Sequence, residues 1–196
     1  MKAKDEGRVT QVKVDPLLQV HTAWDLGMDD STSIWMWQQA NGQYRFVDYY
    51  ENSGEGLPHY AKHLQSLPYI FGRHYAPHDI QVRELGSGLS RIEVARSLGI
   101  GFEVVPQNPV EDGIHAGRLI MDRCWFDQDR CRQGLEALQH YRREYDDKRR
   151  VFRSAPLHDW ASHAADAWRY FALVSRGNSE RRPMGRRERS GSWMVR

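Results

Sequence analysis

Between residues 18 and 53 the chain alternates apolar runs with turn residues. "LQVHTAWDLG" alternates and stops at Gly27, which predicts a strand with His21, Ala23 and Asp25 on one face and Val20, Thr22 and Trp24 on the other. "TSIWMWQQ" is apolar on both faces, the pattern of a central strand covered on each side. Asn41-Gly42 is a strong two-residue hairpin signal, so "QYRFVDYYEN" is expected to return as its antiparallel neighbour.

Beyond residue 56 the periodicity changes. "LPHYAKHLQSL" has helical spacing, with Pro58 suited to the first turn, and "RHYAPHD" reads as a short strand ending in Asp79. Ser90 and Glu93 form a capping-box pattern for a helix that Gly99 would stop. "FEVVP" follows as a buried strand closed by Pro106. Then come a helix over 110–123, the strand "CWF" and a helix to His140 capped by Asp127. "YRREYDDKRRVFRS" is too charged for a core and predicts an exposed hairpin. In the last helix, "HDWASHAADAWRY", Asp159 is the expected N-cap. His163, Asp166 and Tyr170 share its stripe, opposite Ala161, Ala164, Ala165, Trp168, Phe171 and Ala172. The small alanine face would let this helix lie close to a sheet. Three antiparallel strands followed by alternating helices and strands give an α/β fold, a mixed central sheet flanked by helices. This order resembles the ribonuclease H-like layout.

At 196 residues, with 40% hydrophobic content and 7 Trp, the chain can bury one substantial core, while a mean hydropathy of −0.75 implies a polar surface. No run has the length of a membrane span and the polar N-terminus has no signal-peptide core, so a cytosolic, reducing location is expected. Cys124 and Cys131 lack metal-site spacing and are expected to be reduced thiols, with a surface disulfide as the alternative. Residues 176–196 carry seven Arg against two Glu, among Gly, Ser and Pro. They read as a basic, disordered tail that binds nucleic acid, binds a protein or merely solvates. Since the whole chain has a net charge of only +2, the rest is net acidic. The expected organisation is a linker at 1–17, a folded domain at 18–175 and the tail at 176–196.

Three carboxylates are the candidate chemistry. Asp25 ends a strand beside a glycine, Asp79 ends another, and Asp166 comes from the closing helix. Each has a bland counterpart as a turn, cap or solvated residue. Together they suit phosphodiester cleavage by two hard cations about 4 Å apart, one activating water and the other stabilising the leaving oxygen. Asp25, central in the sheet, would bridge the ions, and Asp79 and Asp166 would complete their shells. His163, one turn before Asp166, would orient water, bind metal or donate a supporting hydrogen bond. Zinc hydrolysis lacks an H-E-x-x-H pattern, and "GSGLS" lacks the order of a serine-hydrolase nucleophile turn.

"HTAWDLGMDDS", "APHD" and "LHDWASHAADAWRY" resemble, in order, the three acidic motifs of the nuclease domain of phage terminase large subunits, a family of the ribonuclease H and integrase-like superfamily. The resemblance spans about residues 18–175. It implies an endonuclease that cuts concatemeric viral double-stranded DNA with Mg²⁺ or Mn²⁺ in the infected host's cytoplasm. Asp25, Asp79 and Asp166 would be metal ligands, His163 a histidine near the metals and Asp30 an accessory acid. Implied partners are an N-terminal ATPase motor, the small terminase subunit and the portal. The chain has no G-x-x-x-x-G-K-[ST] phosphate loop, so it resembles an excised nuclease domain beginning in an interdomain linker. Arg142, Arg143, Lys148, Arg149, Arg150 and Arg153 would track a DNA backbone from the hairpin, or else pair with Glu144, Asp146 and Asp147. The rival readings are another ribonuclease H-like nuclease, such as a junction resolvase or transposase core, and a non-catalytic packaging module.

Overall fold

A computed structural model describes residues 2–27, 31–83, 88–146 and 149–180. The side chains of residues 146, 152–155 and 177–180 are not among those described. The elements in chain order are α1 (Lys2–Asp5), β1 (Val9–Thr10), β2 (Val20–Asp25), β3 (Ser31–Ala40), β4 (Gln43–Ser53), α2 (Leu57–Ser66), β5 (Phe71–Ala76), α3 (Arg91–Ser97) and β6 (Phe102–Val104). They continue with α4 (Val110–Ile120), β7 (Cys124–Asp127), α5 (Arg132–His140), β8 (Arg143–Asp146), β9 (Val151–Pro156) and α6 (Trp160–Glu180). The fold is the expected mixed α/β sheet, seven strands in the order β1-β7-β4-β3-β2-β5-β6. β2, β3 and β4 are antiparallel, and β5, β6, β7 and β1 join in parallel.

The β3–β4 hairpin turns at Asn41 and Gly42, both with positive φ (50° and 77°), as a tight turn matched to strand twist requires. Its register shifts between Met36 and Trp37, where Met36 faces Asp48 but Trp37 faces Phe46. Val47 is therefore an extra residue, a bulge that reverses which face the remainder of β4 presents.

Helices cover both faces of the sheet. On one, α6 lies across β2 and β3, burying Ala161, Ala164, Ala167, Phe171 and Ala172 against Trp35, Trp37 and Phe46. Trp35 is the hub of this layer, with ring contacts to Phe46, Tyr49, Phe126 and Trp168. Its buried indole N–H needs an acceptor and donates to the Ala164 carbonyl at 2.9 Å. α4 packs on α6 beside Gly113, where an added Cβ would come within 3.0 Å of Arg169 Cβ. On the other face α2 and α3 cover Trp24, Ile34, Met36 and Val47.

Several local expectations change. Residues 1–17 are not a plain linker: β1 extends the sheet, Ala3 is wholly buried, and Arg8 donates to the carbonyls of Met121 (2.6 Å) and Cys124 (2.8 Å). At the other end α6 runs on to Glu180, so a tail starting at 176 begins inside a helix. Residues 181–196 lie outside the described residues. Asp127 does not cap α5, whose N-cap is Cys131; it accepts from the backbone N–H groups of Val12, Asp129 and Arg130, tying a turn. The capping box at Ser90 and Glu93 forms as expected. Both cysteines are buried free thiols, which removes the surface-disulfide alternative.

Candidate active site

Asp25 is the last residue of β2, placed at the edge of the buried layer by the alternation that sends Ala23 inward on the same face. Its side chain is 17% exposed, and its Oδ2 lies 3.2 Å from His163 Nδ1 on α6. Burial raises the Asp25 carboxyl from 3.8 to about 6; the nearby Asp166 and Asp79 carboxylates push the same way, and His163 opposes them. Like charges meeting in a poorly hydrated place produce such a shift.

Asp166 sits one helical turn beyond His163. Its Oδ1 accepts two hydrogen bonds from the buried Arg169, from Nε at 3.0 Å and Nη2 at 2.6 Å. Asp79 is not at a strand end as expected. β5 stops at Ala76, and Asp79 projects from the following 3₁₀ turn, an exposed residue beside the fully buried Ile80 that pins the turn. The charges of Asp79 and Asp166 nevertheless reach both Asp25 and Tyr170. Burial raises the phenol of Tyr170 first, followed by the charges of Asp25, Asp166 and Asp79.

Side chains that the sequence reading did not assign complete the surroundings. Asp25 is in register with Ser33, and Ser33 with Glu51, so three polar residues cross β2, β3 and β4 in a row. Tyr49 donates to Glu51 and contacts the Ser33 hydroxyl at 3.1 Å. Arg169 and Tyr170 could have been found from their spacing after Asp166. Glu51 could not, because its face depends on the bulge.

Asp159 is the expected N-cap of α6, accepting from Ala161 N at 3.0 Å. Its other oxygen lies 3.5 Å from Arg142 Nη2 at the base of the β8–β9 hairpin. Arg142, Arg143, Arg149 and Arg150 are exposed. Lys148, the Arg153 side chain, Asp29 and Asp30 lie outside the described residues. A cavity of about 270 Å³ between α4 and the hairpin base is lined by Arg118, Arg142, Arg143 and His115, with Glu111 as its one acid among the described residues. An adjoining one of about 520 Å³ shares Arg118 and Tyr141 and reaches Arg169, next to Asp166. Among the described residues, no three His, Cys, Asp or Glu side chains are grouped so as to hold a metal ion.

No family model and no curated protein matches the chain. Solved structures do. The large terminase of the thermophilic bacteriophage D6E superposes with a TM-score of 0.62 at 22% identity, over 85% of this chain and 42% of that one. The P22 large terminase nuclease domain gives 0.62 at 18% identity, covering 87% and 89%. The nuclease domain of the SPP1 large terminase, with bound Mn, gives 0.58 at 15%, covering 81% and 86%. This chain thus spans about two fifths of the D6E protein and nearly all of the separate nuclease domains. It has the ribonuclease H-like fold of phage large terminase nuclease domains.

Proposed function

We propose that this chain is a metal-dependent DNA endonuclease, the nuclease part of a phage packaging terminase, which cuts concatemeric double-stranded DNA with two Mg²⁺ or Mn²⁺ ions. The observation that carries the reading is that Asp79 and Asp166, from a turn and a helix, lie near enough to the strand-end Asp25 for both charges to raise its carboxyl, although the three are not gathered into a closed ligand set. Their donor set fits hard divalent cations, since carboxylate oxygens both ligate such ions and offset their charge. Mn in the SPP1 nuclease domain supports the same choice. Bound there, such ions would polarise the scissile phosphate and make water nucleophilic at neutral pH.

The chain's own residues supply position. Asp25, Asp79 and Asp166 would hold the ions through their carboxylate oxygens. Arg169 holds Asp166 Oδ1 and leaves Oδ2 for a ligand. His163 fixes Asp25 through Oδ2 and stands where it can orient water. The DNA backbone would run along Arg142, Arg143, Lys148, Arg149, Arg150 and Arg153, with Arg118 continuing the cationic path towards Asp166. The larger protein would add the ATPase motor, small subunit and portal, in the host cytoplasm. The test is plasmid cleavage by the purified chain. Nicking and linearisation with Mg²⁺ or Mn²⁺, silence in EDTA and weakening with salt are expected. Full cutting in EDTA would overturn the reading.

A further inference from the structure

A cavity of about 730 Å³ lies on the α6 side of the sheet at the end opposite the acids. His21 is the second residue of β2 and Asp25 its last, a separation of about 13 Å in extended chain. Along α6, Asp166 and Ser175 are likewise about 13 Å apart. The two sites are therefore distinct.

No carboxylate lines this cavity, and two guanidiniums do. Arg123 is fixed by donating its Nε to the Gly42 carbonyl at 2.7 Å, and it lies over the Tyr44 ring at 5.1 Å. That arrangement leaves its two terminal nitrogens without an acceptor among the described residues. Arg73, from β5, is held by the Tyr75 hydroxyl and by Glu103 at 3.4 Å, and is 57% exposed. Between them stands His21. Its Nδ1 accepts from the Arg73 backbone N–H at 3.0 Å, and burial and the Arg73 charge lower its pKa, so the ring is neutral with its proton on Nε2. Gly72 makes room for it: a Cβ there would come within 2.7 Å of the imidazole. The side chains of Gln19 and Gln39 also line it, and their amides can donate hydrogen bonds.

Two pre-positioned guanidiniums, an imidazole N–H and amide donors, with no acid in the lining, match the charge and geometry of phosphate oxygens. We propose that this cavity is a phosphate-binding site, separate from the acidic site, that takes either a free nucleotide or a phosphate of the DNA backbone. The volume suits a nucleotide-sized ligand.

The test uses the full chain in EDTA, so that no cutting occurs and the outcome stands whether or not the acids are catalytic. Pyrophosphate, dAMP and a short duplex are titrated by calorimetry into the parent and into an Arg73→Gln/Arg123→Gln double variant, with circular dichroism to confirm folding. An Arg96→Gln/Arg132→Gln double variant removes the same charge from exposed helical positions outside the cavity. The cavity variant should weaken pyrophosphate and dAMP binding at least about tenfold, with little change in the control. If free nucleotide is the source, duplex affinity stays within twofold of the parent. If the DNA backbone is the source, duplex affinity also falls and the log–log salt slope shrinks by about 2. Should a folded cavity variant, or either single substitution, weaken none of the three probes more than the control does, the proposal is overturned.

Discussion

The α6 side of the sheet has two ends with opposite chemistry. At one, Asp25 feels the charges of Asp79 and Asp166, with Glu51 two strands away in the same row; at the other, Arg73, Arg123 and His21 face a cavity that no acid lines. The same strand and the same helix supply residues to both. The difference lies in how each end balances its charge. At the cationic end each guanidinium has its own anchor, a carbonyl for Arg123 and a carboxylate and hydroxyl for Arg73, so charge is dispersed. At the acidic end Arg169 and His163 offset only part of the carboxylate charge, and Asp25 pays with a raised pKa. Carboxyls perturbed in this way are found disproportionately at functional sites.

The strongest way to break this contrast is Asp166→Asn. It keeps the shape and removes a charge, and plasmid cleavage with Mn²⁺ should fall by about 10³-fold or more, the equivalent of several kcal/mol of lost charge stabilisation. The circular dichroism spectrum should not change. Cutting equal to the parent's would make the acidic end a mere solvated face. His163→Ala removes a partner of Asp25 rather than a carboxylate, so a loss of about 10- to 100-fold is expected in the same assay.

Stability should move the other way. The Asp25 carboxyl titrates at about 6 in the folded chain and near 3.8 when unfolded, so the fold prefers the protonated form. Its ionisation costs stability progressively as pH rises from 3.8 to 6. In EDTA, Asp25→Asn should therefore be more stable than the parent above pH 6, by up to about 3 kcal/mol. The gain should shrink towards zero as pH falls to 4. Denaturant midpoints at pH 4, 5 and 8 check both sign and window, and a gain independent of pH would refute the charge explanation. The smallest effect belongs to Asp159→Asn, because Asn also caps a helix; cleavage and melting should stay near the parent's. A large loss of cleavage without loss of stability would instead implicate its contact with Arg142.

Much of this was legible in the sequence because the signals were local. The Asn41-Gly42 turn, the Ser90–Glu93 box and the alanine stripe of α6 each depend on residues a few positions apart. The convergence of Asp25, Asp79 and Asp166 was expected from the motif resemblance, not from spacing. What escaped depends on contacts distant in sequence. Residues 2–10 look like a linker until β7, over a hundred residues later, offers β1 a partner. Glu51 was hidden by a different cause. A two-residue turn closing on Ala40 and Gln43 would pair Ser33 with Tyr50, and only the extra Val47 brings Glu51 opposite Ser33 instead.

The hydrogen bond from Trp35 to the Ala164 carbonyl reaches beyond the packing it completes. A smooth alanine face on a sheet leaves a helix free to roll, and every residue of offset turns its side chains by about 100°. Tethering one carbonyl removes that freedom, so the azimuth of Asp166 is set two residues away by an indole on another element. The direction in which the carboxylate faces thus rests on an angle written in strand β3 rather than in the helix that bears it.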